Sequence, residues 1–240
     1  AKIDAFWESL GAHTAEKRRW LDDSLAREQF KEELRMQASQ HHDRYEKLSA
    51  WCQEKEAYLA VREEIGCVAD AQMHLRLLDA YDAEQGENEA SAVAPFKDLG
   101  QRILGAEYKT DLSEYRYHLP DDITTEEANI DQYWAKLSGL SGEKRQYLDA
   151  CLAREQRKEE LRVAFAEAAD DFTRFAASSA ESLELALFGF TLEEVEAYAA
   201  QLQSSTAAIT AALAEKKDVY ARVWADIEAM GFFDNPYTTL

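Results

Sequence analysis

Apolar residues recur along this chain at steps of three, four and seven, with charged residues between them. That spacing lines one side of an α-helix, whereas a strand would alternate with period two. The first run, residues 2–63, carries Ile3, Trp7, Leu10, Leu21, Leu25, Leu34, Tyr45, Leu48, Cys52 and Leu59 and no proline. It predicts one unbroken helix, roughly 90 Å long at the usual rise per residue, stopped at Gly66. A second helix is expected over 68–106, with a kink or break at 86–95 caused by Gly86 and Pro95. Residues 107–123 read as a connection in which Pro120 and the Asp pair stop helix. Thr124 or Thr125 followed by Glu127 then offers a cap for a third helix over 124–188. The seam of that helix is Ile130, Trp134, Leu137, Leu148, Leu152, Leu161, Phe165, Phe172, Phe175, Leu183 and Leu187, and Gly189 ends it. Thr191 with Glu194 is a capping box for a fourth helix over 191–230. Leu192, Val195, Ala199, Leu202, Thr206, Ile209, Leu213, Tyr220, Val223, Ile227 and Met230 form its coiled-coil-like seam, and Gly231 stops it.

Part of this pattern is written twice. Residues 3–35 and 130–162 align without a gap at a constant offset of 127, and more than half the paired positions are identical. Ile3, Trp7, Leu10, Leu21, Leu25 and Leu34 pair with Ile130, Trp134, Leu137, Leu148, Leu152 and Leu161. Two copies at a fixed period indicate a repeat architecture. A helix near 60 residues cannot lie within one compact domain, so it is expected to pass from one bundle into the next. The expected unit is three helices: the second half of one long helix, a shorter helix, and the first half of the next long one.

Composition agrees with long helices: 240 residues contain only 9 Gly and 3 Pro, and no Asn-Gly or Asp-Gly hairpin signal occurs. The chain is strongly acidic, with 27 basic against 47 acidic residues and a formal charge of −20. That opposes binding to nucleic acid or to anionic lipid, and it fits a self-repelling, solvated surface. Three cysteines, Cys52, Cys67 and Cys151, are no disulfide framework, so a reducing, cytoplasmic setting is expected. No run of apolar residues is long enough to span a bilayer, and no membrane partner is expected. The pattern is already running at Ala1, so a piece of a larger protein is expected.

The IDxxW entries (Ile3 to Trp7, Ile130 to Trp134), the LxxxxxREQxKEELR run, the aromatic-rich 158–175 and the closing NPYTTL at 235–240 carry a resemblance to spectrin repeats. The resemblance is closest to the rod of the alpha-actinins, and it covers essentially the whole chain. It implies an all-α fold of tandem three-helix coiled-coil repeats joined by continuous helices into an elongated rod. The first repeat would occupy 1–123 and the second 124–240. Phe175 takes the place where a Trp is usual in the second unit. Trp51 fits that mark by type in the first, although the offset places Leu48 there. The resemblance implies a cytoskeletal rod, spacer and dimerisation region of an actin cross-linker. F-actin and calcium would bind only through flanking domains absent from this sequence. An adaptor that docks partner proteins on its helix faces is the alternative.

No chemistry-bearing motif competes with that reading. With Gly86 at the sixth position of an EF-hand loop, Tyr81 falls first and cannot be a ligand. No Glu-x-x-His pair, CxxC, GxSxG or phosphate loop occurs, so no metal, cofactor or catalytic residue is assigned. The histidines read as surface or seam-edge residues, and Cys52 and Cys151 as small core residues. Core packing is expected at Trp134, Leu137, Phe172, Phe175, Leu202, Ile209 and Trp224. The last unit lacks a closing helix, and the first half of the opening helix lacks its bundle. The rod expected between them keeps these two ends apart in one chain. Ile3, Phe6, Trp7, Leu10, Trp20 and Leu21 are therefore expected to contact a second copy in an antiparallel homodimer.

Overall fold

The computed structural model describes residues 2–184 and 189–237. The chain is mostly helical, with two compact units formed by 1–64 with 73–148, and by 65–72 with 149–240. Its elements in order are α1 (Lys2–Ala60), α2 (Val68–Asn88), a π-helical turn (Glu89–Val93), α3 (Ala94–Gly105), β1 (Glu107–Lys109), β2 (Glu114–Arg116), α4 (Pro120–Glu184) and α5 (Leu192–Met230). The expected seam residue Leu187, and the last three residues of NPYTTL, lie outside the described residues.

In the first unit α1 buries Leu34, His41, Leu48, Cys52 and Leu59, at intervals of seven and four that keep them on one stripe. Leu34 meets Leu99 and Ile103 of α3 and Ile123 of α4, with Phe30, Tyr115 and Tyr117 around them. One layer along, Leu48 meets Val93, Phe96 and Ile130, flanked by Tyr45 and Trp134. Trp51 stacks on Trp134 at 5.4 Å between ring centres and donates its indole N–H to Glu84 at 3.0 Å. Three helical segments thus share one core.

Element ends differ from expectation for local reasons. α1 stops at Ala60 and not at Gly66. The fully buried Lys144 of α4 donates its ammonium to the carbonyls of Tyr58 and Val61, both at 3.1 Å, and to Glu63 at 2.7 Å. A cation there satisfies the open carbonyls and the negative end of the helix dipole. The break at 86–95 is a π turn: the Ala94 N–H reaches back five residues to the Glu89 carbonyl, ahead of Pro95, which has no N–H to give. Pro120 begins α4 instead of stopping helix, because at the first position its missing N–H has no partner to lose, and Asp121 and Asp122 suit the positive end.

The connection also holds a two-stranded antiparallel hairpin in which Tyr108 faces Tyr115. Its turn has no Gly. The Thr110 hydroxyl instead accepts the backbone N–H groups of Leu112 and Ser113, each at 3.1 Å. It is a local exception within a helical fold.

In the second unit Leu161 and Phe165 of α4 pack with Ile227 of α5 and with Phe232. Arg162 holds the following tail through the Asp234 carboxylate at 2.6 Å, and Asn235 donates to the Arg162 carbonyl at 2.9 Å. The capping box is present: Thr191 Oγ1 accepts the Glu194 N–H at 3.2 Å, and Glu194 accepts the Thr191 N–H at 3.0 Å. The backbone N–H of Phe190, at 2.8 Å, and that of Thr191 hold the Glu194 carboxyl below its ordinary range. Gly231, at φ +68°, closes α5 in the left-handed conformation that a Cβ disfavours.

Truncating Phe96, fully buried beside Leu48 and Ile130, to Ala should destabilise the first unit by about 3–5 kcal/mol in urea unfolding. Met36→Ala, at an exposed position on the same helical system, should stay within roughly 0.5 kcal/mol.

Candidate functional site

The two copies of the duplicated segment meet opposite environments. Ile130, Leu137 and Leu148 are 0, 1 and 0% exposed, whereas their counterparts Ile3, Leu10 and Leu21 are 71, 57 and 69% exposed. Phe6, Trp7, Trp20 and Leu25 are exposed as well. No described residue of α1 before Leu34 is buried. One exposed Leu means little, but seven large apolar side chains along about six turns of one helix, in two groups at Ile3–Leu10 and Trp20–Leu25, are of the kind that marks an interaction site.

A second apolar face is open in the other unit. α5 carries a groove of about 810 Å³ lined by Leu202, Thr206, Ala207, Thr210, Ala211 and Ala214, among others. Phe172, Leu183, Val195 and Leu202 are exposed, and Ile209 is half-buried. Phe175 is half-buried beneath the Lys216 ammonium at 5.1 Å, with Lys216 paired to Asp171. Trp224 is half-buried against Phe165 and Phe233, at 5.7 and 6.0 Å. In the first unit Leu137 is buried, and Trp134 is half-buried with no partner for its indole N–H. The small side chains of α5 leave room for a bulky neighbour, and the bulky side chains of α1 have none.

A polar cluster of the first unit also escaped the sequence reading. His41 is fully buried, neither at the surface nor at a seam edge. It stacks on Phe96 at 4.1 Å and donates from Nδ1 to Glu126 at 2.9 Å, while its Nε2 lies 3.7 Å from Glu127. His42 donates to the other oxygen of Glu126 at 2.6 Å. Gly100 makes this approach possible: a Cβ there would sit 1.9 Å from Glu127 Oε1. The signal was available, since His41 stands midway between Leu34 and Leu48 at heptad spacing. The hydrogen bond to Glu126 raises the His42 pKa, with Glu46 and Asp43 adding to it, and burial raises that of Glu127.

Cys52 and Cys151 are buried and Cys67 is exposed. Burial pushes the Cys52 thiol up to about 11, which keeps it protonated and unreactive. Among the described residues no helix is long and apolar enough to cross a membrane, and no group of three or more His, Cys, Asp or Glu side chains is placed to hold a metal ion. No protein-family model matches the chain, and no curated protein matches it in sequence.

A histidine whose folded pKa is raised adds stability below the ordinary value near 6.5 and loses it as pH rises through the folded value. The melting temperature should therefore fall on going from about pH 6 to about pH 8. His42→Gln should flatten that part of the profile, as read by circular dichroism melts across the range.

Proposed function

We propose that the chain is a structural spacer and dimerisation region, built of spectrin-like three-helix repeats, from an actin cross-linking cytoskeletal protein resembling alpha-actinin. The observation that carries this reading is the bare seam of 3–21, whose copy at 130–148 is covered within the chain. The buried copy supplies a template. Ile130 packs on Leu48, Val93 and Phe96 beside Tyr45. Advanced by the offset of 127, the positions of Tyr45, Leu48, Val93 and Phe96 become Phe172, Phe175, Tyr220 and Val223. Those residues belong to the pair of helices whose face is open. Ile3 of one copy would then sit on Phe172 and Phe175 of another, and Trp7 and Leu10 would follow along the groove of α5.

Each chain both offers and receives such a segment, so the contact is self-complementary and closes as an antiparallel dimer. Its apolar payload is worth on the order of several kcal/mol at ~25 cal/mol per Å² before ordering costs. Domains attached at the ends of such a dimer face opposite ways, which suits a filament cross-linker. Actin and calcium binding would belong to those attached domains. The adaptor reading is favoured by a different observation: Met73 and Leu77, one turn apart on α2, and Val61 are exposed apolar residues away from the proposed contact.

Sedimentation equilibrium at micromolar concentration should give a dimer, and Trp7→Ala should weaken it at least about tenfold, the cost of losing roughly 1.4 kcal/mol. A fully helical wild-type monomer would contradict the dimer.

A further inference from the structure

The hairpin of β1 and β2 grips α1 at a point where the two sequence copies differ. Three hydroxyls converge on the Asp23 carboxylate: Tyr108 at 2.9 Å, Thr110 at 2.7 Å and Ser113 at 2.6 Å. One turn before it, Arg19 pairs with Asp111 at 3.0 Å. Two turns after it, the Phe30 ring meets Tyr108 at 5.8 Å and Tyr115 edge-on at 6.4 Å, and the Lys31 ammonium lies 5.2 Å from the Tyr115 ring centre. In the second copy, positions 19, 23 and 30 are matched by Gln146, Ala150 and Arg157. None of these could repeat the contact.

The gripped residues share one side of α1, four and seven positions apart. At about 100° per residue they lie roughly 160–220° round the helix from Ile3, Leu10 and Leu21. They continue the stripe of Leu34, His41 and Leu48 toward the N-terminus. This part of α1 has no buried residue of its own. A helix without tertiary packing is marginal in water, and so is a lone two-stranded hairpin. The hairpin here is anchored on the core of the first unit through Tyr115, and it supplies the packing that this part of the helix lacks. An Asp in a helix interior is a poor choice by propensity, and here its side chain has a dedicated set of donors, which also hold its carboxyl below the ordinary range.

We propose that the hairpin is a strap that clamps α1 through Asp23 from the side opposite its bare seam, holding the N-terminal part of the helix folded with that seam open for a second copy. The clamp stands on the contacts above, and its use in presenting the seam rests on the dimer reading.

Hydrogen exchange of the full chain, read by mass spectrometry, separates these claims. Ala is a better helix former than Asp, so propensity alone would make Asp23→Ala increase protection. The strap predicts the reverse: about tenfold faster exchange over residues 12–30, with 41–60 unchanged, since an order of magnitude is what one lost anchoring contact of ordinary strength removes. Thr110→Val with Ser113→Ala should act alike while leaving the α1 sequence intact, and it serves if Asp23→Ala disturbs folding. Unchanged or increased protection over 12–30 in the hydroxyl variant overturns the strap. Sedimentation of the same samples is the second arm. Lost protection with a weaker dimer supports the whole proposal. Lost protection with unchanged affinity overturns the presenting role. A monomeric wild type that loses protection in the variants keeps the strap and removes the dimer reading.

Discussion

A helix of 59 residues has more apolar seam than one three-helix core can cover, and most of this structure depends on that excess. The core of the first unit engages α1 from Phe30 to Leu59. Before it the helix is held by the hairpin on one side and bears large exposed aromatic and aliphatic side chains elsewhere. Helical stability in proteins comes mainly from packing an apolar face, so a segment this long needs a partner for its seam, a support behind it, or both. The bare seam and the hairpin grip at Asp23 stand for those two needs.

Buried polar groups set where the helices begin, end and register. Lys144 closes the C-terminal end of α1, and Tyr147 adds a hydroxyl to the Glu63 carbonyl at 2.7 Å. The exposed counterparts are Lys17 and Trp20, so the first copy carries the same polar and aromatic end-piece as the second without a helix end to close. His41, between Glu126 and Glu127, ties α1 to α4 at the level of Phe96. An uncompensated charge at such sites is costly, which confines the helices to the register that pairs them.

Much of the helical layout was legible in the sequence because periodicity, glycine stops and the Thr191–Glu194 box are local signals. The features that escaped are ones local signals do not encode. Gly66 looked like a stop, yet a lysine more than 80 positions away ends α1 earlier. Pro120 looked like a breaker, yet its place before two aspartates makes it a first-turn residue. The hairpin lacks Asn-Gly because the Thr110 side chain closes the turn, and its strands are short enough to leave no alternation. His41 was passed over by residue type although its heptad position pointed inward. The open faces were legible in part: the duplication marks which side of 3–21 is sticky, but only the exposure of Phe172, Val195 and Leu202 displays a second face in need of cover.

The central claim is that the seam of 3–21 in one copy lies on the α4–α5 face of another. Amine cross-linking of a mixture of unlabelled and nitrogen-15-labelled chains tests it most directly. By the internal template Lys2, Lys216 and Lys217 take the places of Asn129, Glu89 and Ala90, which flank the contact of Ile130 with Val93 and Phe96, so cross-linked peptides joining them should appear as isotopically mixed pairs. Links confined to chains of one isotope, or no link between these lysines at concentrations that sustain the dimer, would contradict the account.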